Sequence, residues 1–544
     1  MRPGDVMKKL PIGIQSIDRI LREGYAYVDK TDYARRLITE GPPCNFMSRP
    51  RRFGKSLFLS TLKEIFKGNK QLFEGCAIYS SDYDWKEYPV VHLDFAGVAN
   101  TTSEKFEASL QISLEMIANE HGVSIINQDI KIALRTLIAH LSNKYKNRVV
   151  VLVDEYDKPL IARLSDPEIA NKNKEILQNF FETLKFLDPY LRFTFVTGIS
   201  KFAQVSLFSS FNHLRDLTMN GEFADMMGYT GEDLKTYFAP HIQAIAQERR
   251  EELGEEVTEE EILQEMREWY NGYRFSEKET RVYNPFSTLN FLQDRKIGGY
   301  WYETGTPTFL IGELKKYSES MISLDGTKAT KEELMGISYL DRIGLPALMY
   351  QAGYFTIQDY NSISMLYQIG LPNEEVRRAF VHSLIKSFAP MTDIRGSKEF
   401  VEALEKHDPA LLFKHIELGL SSFAYQVFID AKERTYQAML LSMLYGMGFN
   451  PISEKATNIG RIDVVLEVAK TIYVLELKLN DSAEKALKQI HEKEYFKPYT
   501  HKGKHIVVIG ANFSSEVRNI SEWKGELLSE SGEKIKDLSP ENTN

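Results

Sequence analysis

Short apolar runs and longer stretches of helical spacing alternate along the first two fifths of the chain. The apolar runs lie at 44–48, 89–95, 148–154 and 192–197. Val149-Val150-Val151-Leu152-Val153 is unbroken and β-branched, the pattern of a strand buried on both faces of a parallel sheet. Between the runs, apolar residues recur every three to four positions over 56–67, 104–121, 128–145 and 170–187. Strands alternating with longer helices predict a parallel sheet with right-handed crossovers, and residues 1–220 are read as one such domain.

The pattern then turns helical. Segments 230–252, 257–270, 307–318 and 329–342 have helix-like spacing, and they surround the aromatic, turn-rich Trp269-Tyr270-Asn271-Gly272-Tyr273-Arg274-Phe275. Tyr354–Ile357 and Ile363–Tyr367 flank Asp359-Tyr360-Asn361, which predicts a β-hairpin turning at those three residues. Helices followed by a hairpin suggest a winged-helix-like domain over 221–372. Asn373 is a candidate cap for a helix over 374–388, and a further helix at 397–419 completes a helical connector spanning 373–429. The last domain, 430–544, is predicted to contain helices at 431–446 and 482–495. Its strands are expected at 449–454, 461–467, 472–479 and 505–510.

With 544 residues the chain is too long for a single core. A net charge of -9 argues against a basic coat over the whole surface but leaves room for a local basic groove. The cysteines, Cys44 and Cys76, supply no disulfide framework and suit a reducing cytosol. Met1–Lys9 is basic, but Gln15, Ser16, Asp18 and Arg19 interrupt the apolar stretch that follows, so no secretory signal is read. No apolar run approaches a membrane span. A cytoplasmic protein with no membrane partner is expected.

The first chemistry lies at Arg51-Arg52-Phe53-Gly54-Lys55-Ser56, between the first strand and the first long helix. A helix start presents unpaired N–H groups and the positive end of the helix dipole, which is what a phosphate needs. Arg52, Phe53, Gly54, Lys55 and Ser56 are the candidate nucleotide-binding loop: Lys55 to reach β/γ-phosphate oxygens, the Ser56 hydroxyl to ligand Mg²⁺. Arg49 stands where the general phosphate-loop rule places a glycine. The strand Val149–Val153 ends in Asp154-Glu155, at the ligand edge of an open α/β sheet. Asp154 suits the Mg²⁺ shell and Glu155 the polarisation of an attacking water. Thr197, at the end of the fourth strand, is a candidate γ-phosphate sensor.

The second chemistry lies in the last domain. In Ile472–Leu479, period-2 alternation puts Glu476 and Lys478 on one face and Tyr473, Leu475, Leu477 and Leu479 on the other. An antiparallel neighbour would bring Asp463 beside Glu476. A charge inside a strand costs several kcal/mol unless it is paired or bound to metal. Asp463 and Glu476 are therefore candidate Mg²⁺ ligands, with Glu433 completing the shell. Lys478 is placed to orient or deprotonate a water and to stabilise phosphorane-like charge. Gln489, Lys493 and Tyr495 are further residues that would face the same cleft.

On these motifs the chain resembles the AAA-ATPase-like proteins that carry a C-terminal PD-(D/E)XK nuclease-superfamily domain. The likeness is carried by Leu10–Gly13, Tyr27–Thr31, Ser48–Ser56, Val153–Pro159, Tyr270–Tyr273, Tyr283–Pro285, Gly460–Asp463, Glu476–Lys478 and Ala486–Ile490. The Arg-Arg-Phe-Gly-Lys-Ser form of the loop belongs to that family's pattern, so Arg49 departs only from the general rule. The resemblance implies an α/β protein: a P-loop NTPase parallel sheet, a helical middle region and a restriction-endonuclease-like C-terminal α/β domain. It implies ATP and Mg²⁺ as cofactors and nucleic acid as the partner, DNA ranked ahead of RNA. Asp463, Glu476 and Lys478 map onto the nuclease signature, with Glu155 as the catalytic residue of the ATPase. Arg215 and Arg274 are candidate arginine fingers, each weighed against an ordinary surface arginine; a finger acting in trans would require a homo-oligomer. The alternative function is a nucleotide-controlled switch that binds nucleic acid or a protein partner without cleaving.

Overall fold

The computed structural model describes residues 7–126, 129–164, 166–200, 213–253, 256–303, 326–335, 344–377, 379, 402, 404, 406–421, 433–446, 451–456, 461–468 and 471–540. The chain divides into two compact units, Met1–Leu310 with Leu324–Val376, and Ile311–Ser323 with Arg377–Asn544.

The first unit is built on a parallel sheet of five strands: β1 (Cys44–Ser48), β2 (Val90–Asp94), β3 (Val149–Asp154), β4 (Leu191–Gly198) and β5 (Arg215–Asp216). Their order across the sheet is β2-β3-β4-β1-β5. The valine-rich β3 is buried along its whole length, as its composition demands. Helices Ser103–Glu120, Ile130–Tyr145 and Pro167–Phe186 pack leucines and phenylalanines onto the sheet in one continuous core. The first of these is capped by the Thr102 hydroxyl and the second by the Asp129 carboxylate.

The order differs from the sequence of strands along the chain. β4 lies between β1 and β3, pairing in parallel with both. It therefore carries Thr197 to the carboxyl edge between the Lys55 loop and Asp154. Two helices, Ile17–Arg22 and Thr31–Thr39, and the short edge strand β5 went unrecognised in the sequence, because each is too brief to show a period.

The segment expected as one helix over 230–252 breaks at Phe238 into Gly231–Tyr237 and Ala239–Leu253. The helices expected at 307–318 and, beyond Met335, at 329–342 fall outside the described residues. The hairpin forms, but later than predicted. β7 (Thr356–Asn361) runs straight through Asp359-Tyr360-Asn361, and the chain reverses over 362–365 before β8 (Leu366–Gly370). The Asn361 side chain accepts the N–H groups of Ile363 and Ser364, so the polar residues close the strand and do not form its turn. A third strand, β6 (Thr327–Ala329), pairs with β8 on the other side. Asn373 does cap its helix, accepting from Val376 N–H.

The second unit holds a six-stranded sheet. Its strands are β9 (Ile452–Ala456), β10 (Arg461–Val468), β11 (Thr471–Leu479), β12 (His505–Ser514), β13 (Asn519–Leu528) and β14 (Lys534–Leu538), in spatial order β14-β13-β12-β11-β10-β9. Only β11 and β12 pair in parallel, joined by the helix Ala483–Glu492; every other pairing is antiparallel. One face packs on helices Pro409–Ser421 and Glu433–Gly446, the other on Ala483–Glu492 with Tyr495 and Tyr499. Within the helix expected over 397–419, Glu402 and Leu404 are helical, the chain turns at Lys406 and His407, and a separate helix runs Pro409–Ser421. β13 and β14 were not foreseen, since their alternation is broken by charged residues on an exposed face.

Candidate functional site

The phosphate loop turns on Gly54, which takes φ 87° and caps the N-terminus of the helix Lys55–Phe66. A left-handed residue directly before a helix is where glycine is least strained. Arg52, also left-handed at φ 68°, is exposed, with its guanidinium stacked 4.7 Å over the Phe286 ring. Lys55 is 6% exposed, and its Nζ donates to the carbonyls of Arg49 and Pro50, each at 2.9 Å. Burial lowers the pKa of this lysine against the pull of Glu155, Asp154 and Asp157. A buried cation held only by loop carbonyls fits a group that accepts an anionic phosphate.

Arg49 explains its own departure from glycine. Its guanidinium is buried and donates to the carbonyls of Ser48, Thr218 and Phe223, and it lies 4.1 Å over the Phe275 ring. The side chain is a strut tying the loop to the segment after β5. Phe53, 1% exposed, meets Tyr273 edge-on at 4.8 Å and Phe275 at 5.4 Å. The Tyr270–Phe275 motif is thereby explained as a socket for the loop. Its Gly272 is required because a Cβ there would lie 2.0 Å from the Pro372 carbonyl oxygen.

Across the loop, Ser56 Oγ donates to Asp154 Oδ2 at 2.5 Å, and Thr197 Oγ1 donates to Asp154 Oδ1. The structure thus brings Lys55, Ser56, Asp154 and Thr197 together, with Glu155 following at a left-handed φ of 48°. Asp94, opposite Asp154 on β2, is an acidic neighbour the sequence reading missed. Asp157 was missed as well. Its Oδ2 accepts from Ile199 N–H at 3.1 Å, Ser200 N–H at 2.7 Å and Ser200 Oγ at 2.7 Å, fastening the segment after β3 to the end of β4. A carboxylate three residues beyond Asp154 was the available signal.

Burial pushes the Asp157 carboxyl from 3.8 up to about 6, with the Ser200 bonds opposing and Glu155 adding to the rise. The folded state therefore holds this proton more tightly than the unfolded chain does. Its stabilising contribution is complete below pH about 4 and is lost as pH rises through about 6, a change of up to about 3 kcal/mol. Asp157→Asn should flatten that part of the curve. Denaturant unfolding of both proteins at pH 4.5 and 7.5 checks this; identical pH dependence in the two would refute it.

Arg274 is not a surface residue. It is 2% exposed, and its guanidinium donates to the carbonyls of Ser276, Glu277 and Gln358 and to Glu279 Oε1. Arg215 sits on β5, with its side chain 32% exposed beside Glu222 and over the Phe223 ring.

In the second unit, β10 and β11 pair antiparallel with Val464 opposite Leu475, so the next position places Asp463 across from Glu476. The β10–β11 ladder ends at Val464 and Leu475, so past that point β11 is paired with β12 on one side and with no strand on the other. Asp463 Oδ2 accepts from Leu477 N–H at 2.8 Å, and Glu433 Oε2 accepts from Leu479 N–H at 3.2 Å. Two carboxylates thus clasp the backbone on either side of Lys478.

Glu476 continues the row Ile472–Val474, which packs under Ile490, and it is 2% exposed. Its Oε1 accepts from Lys478 Nζ at 3.0 Å and from Gln489 Nε2; its Oε2 is buried with no hydrogen-bond partner. Burial and the charge of Asp463 push its carboxyl up to about 7, against the pull of Lys478. Burial would lower Lys478, but its bond to Glu476 and the charges of Glu476, Glu433 and Asp463 raise it. Both groups hold protons tightly because the cluster is short of positive charge, and an orphaned hard oxygen in such a cluster fits Mg²⁺. Among the described residues, no set of three His, Cys, Asp or Glu side chains is already gathered as a complete ion cage. Gln489 joins the cluster as expected. Lys493 is exposed at the helix end and Tyr495 is buried in the core beneath the sheet, so neither is placed there. Gly460 lies outside the described residues.

This pairing of folds and clusters defines the class: a P-loop ATPase-like domain and a PD-(D/E)XK nuclease-superfamily domain in one chain. Residues 11–208 match the family described as a predicted AAA-ATPase, and residues 431–523 match the PD-(D/E)XK nuclease superfamily. The chain belongs to the AAA-ATPase-like family with a C-terminal PD-(D/E)XK domain. It is 34% identical over 526 residues to the uncharacterized protein in the vnfD 5′ region of Azotobacter chroococcum mcd 1, covering 94% of this chain and 98% of the relative. No helix among the described residues is long and apolar enough to cross a membrane.

Proposed function

We propose that this protein is a Mg²⁺-dependent phosphodiesterase acting on nucleic acid, DNA ahead of RNA, under the control of ATP binding and hydrolysis. The observation that carries the reading is Glu476: a buried carboxylate with an unpartnered oxygen, beside Asp463, Lys478 and Gln489. Structural strands do not retain such a group at that cost without a cation to offset it.

A bound Mg²⁺ would supply Lewis acidity and acidify a coordinated water. Asp463 and Glu476 are the residues to hold it, with Glu433 beside them. Lys478, kept protonated by its acidic neighbours, donates and stabilises developing negative charge, which favours that role over proton abstraction. Gln489 fixes the rotamer of Glu476. On the ATPase side, Lys55 binds the phosphates, Ser56 and Asp154 hold the ion, Thr197 positions Asp154, and Glu155 orients the attacking water.

The test is a cleavage assay of the full chain on single- and double-stranded DNA and RNA, with Mg²⁺, with and without ATP. Cleavage that disappears in Lys478→Ala is the expected outcome, with a drop of about 10²-fold or more. An absence of cleavage on every polymer, alongside tight ATP binding, would favour the non-cleaving switch.

A further inference from the structure

Two residues of the phosphate loop reach, by separate routes, the short segment where the first unit ends. The first route starts at Phe53, whose ring meets Tyr273 edge-on. Beside Tyr273, Gly272 lies so near Pro372 that a Cβ would be 2.0 Å from its carbonyl oxygen. The next residue, Asn373, donates from Nδ2 to the Asn271 carbonyl at 2.6 Å and accepts the Val376 N–H at 3.0 Å. The second route starts at Pro50. Gly353, at φ 87°, passes it so closely that a Cβ would lie 2.6 Å from Pro50 Cβ and 3.6 Å from Trp301 Cζ2. The Trp301 N–H in turn donates to Glu375 Oε1 at 2.8 Å, and Glu375 is 1% exposed. Val376 is the last residue of the first unit, and the chain passes into the second at Arg377.

We propose that residues 372–376 form a latch that nucleotide binding at the phosphate loop releases. The inference rests on the reading of the loop as the ATP site, and it adds how occupancy of that site is passed along the chain.

The direction follows from Lys55. Its Nζ donates to the Arg49 and Pro50 carbonyls, each at 2.9 Å. An anionic phosphate is a stronger acceptor for a buried ammonium than a neutral carbonyl is. Nucleotide therefore draws Nζ off the Pro50 carbonyl, and Pro50 loses a bond that fixes it against Gly353 and Trp301. Close-packed contacts leave no slack, so a shift of Pro50 displaces Trp301 and the N–H that holds Glu375. The latched arrangement also carries a cost of its own. The Tyr273 hydroxyl is buried without a hydrogen-bond partner. An unmet bond of that kind lowers the stability of the latch and makes it openable by a ligand of ordinary affinity.

Hydrogen exchange of the full chain, read by mass spectrometry in Mg²⁺ with and without the β,γ-imido analogue of ATP, tests the latch. The Trp301 and Val376 amides should exchange about fivefold or more faster when the analogue is bound. Binding and release must favour each other equally. Asn373→Ala and Glu375→Ala should therefore bind the analogue about fivefold or more tightly than the parent in calorimetry. Glu375→Gln, which keeps an acceptor for the Trp301 N–H, should bind it as the parent does. A residue that only supports the fold would leave this affinity unchanged or weaken it. Amides that exchange no faster with the analogue, or alanine variants that bind it no more tightly, would overturn the latch. The exchange comparison uses the unmodified chain and stands even if a variant does not fold. If the unmodified chain does not bind the analogue at all, the reading of the loop itself fails and takes the latch with it.

Discussion

Glu476→Gln should abolish nucleic-acid cleavage and, in the same chain without metal, raise stability. Activity should fall by about 10³-fold, the scale on which removing one preorganised charged group acts in a water-excluded site. Stability should move the other way because Glu476 is 2% exposed, has a buried oxygen with no partner, and sits near Asp463 and Glu433. Its carboxyl titrates at about 7, so at pH 8 in chelator it is mostly ionised and the burial cost is present. A neutral amide keeps the shape, still accepts from Lys478, and removes that cost. The expected gain is about 1–3 kcal/mol in the transition of the C-terminal unit. Excess Mg²⁺ should stabilise the original chain and not the variant, because an ion that binds only the folded state adds stability by mass action. A variant that is less stable than the parent in chelator would show that Glu476 is an ordinary structural ion-pair partner.

Lys55→Ala should show the same opposition in the other unit. ATP turnover should drop by about 10²–10³-fold, since the residue neutralises the phosphates where charge develops. Its Nζ is otherwise satisfied only by the Arg49 and Pro50 carbonyls, and burial already disfavours its charge. The nucleotide-free variant should therefore unfold no earlier than the parent, while the thermal shift that ATP confers on the parent should vanish. An alanine variant that still hydrolyses ATP at near the parental rate would remove the loop from the mechanism. The pair of variants also separates the two chemistries. If ATP binding gates cleavage, Lys55→Ala should reduce cleavage in the presence of ATP but leave its ATP-independent part intact.

The strands of both sheets that carry chemistry were legible within two residues, because short β-branched runs between helical stretches have no other stable use. The strand β3 and its terminal Asp154 are the clearest case. Glu476 and Lys478 were also legible, since period-2 alternation assigns them to one face whatever the partner strand does. Of the three residues expected to face that cleft, Gln489 reaches Glu476, whereas Lys493 is exposed and Tyr495 is buried in the core. Other expectations failed for identifiable reasons. The hairpin turn was placed on Asp359-Tyr360-Asn361 by composition, yet pairing with β8 carries the strand through those residues. Arg274 looked like a surface arginine until the carbonyls of Ser276, Glu277 and Gln358 enclosed it.

By itself the amino-acid sequence determined most of the elements, the residue types of the two clusters proposed to handle phosphate, and the family. These depend on local periodicity and on side-chain chemistry, both of which are properties of neighbouring positions. Tertiary structure alone decided that β4 inserts between β1 and β3, that Arg49 becomes a strut, that the Tyr270–Phe275 motif is a socket for Phe53, and that Asn373 fastens to the Asn271 carbonyl. Each of those outcomes pairs groups far apart in the chain. The free energy of burying a guanidinium is set by the partner that arrives, and that partner is not encoded in the local pattern.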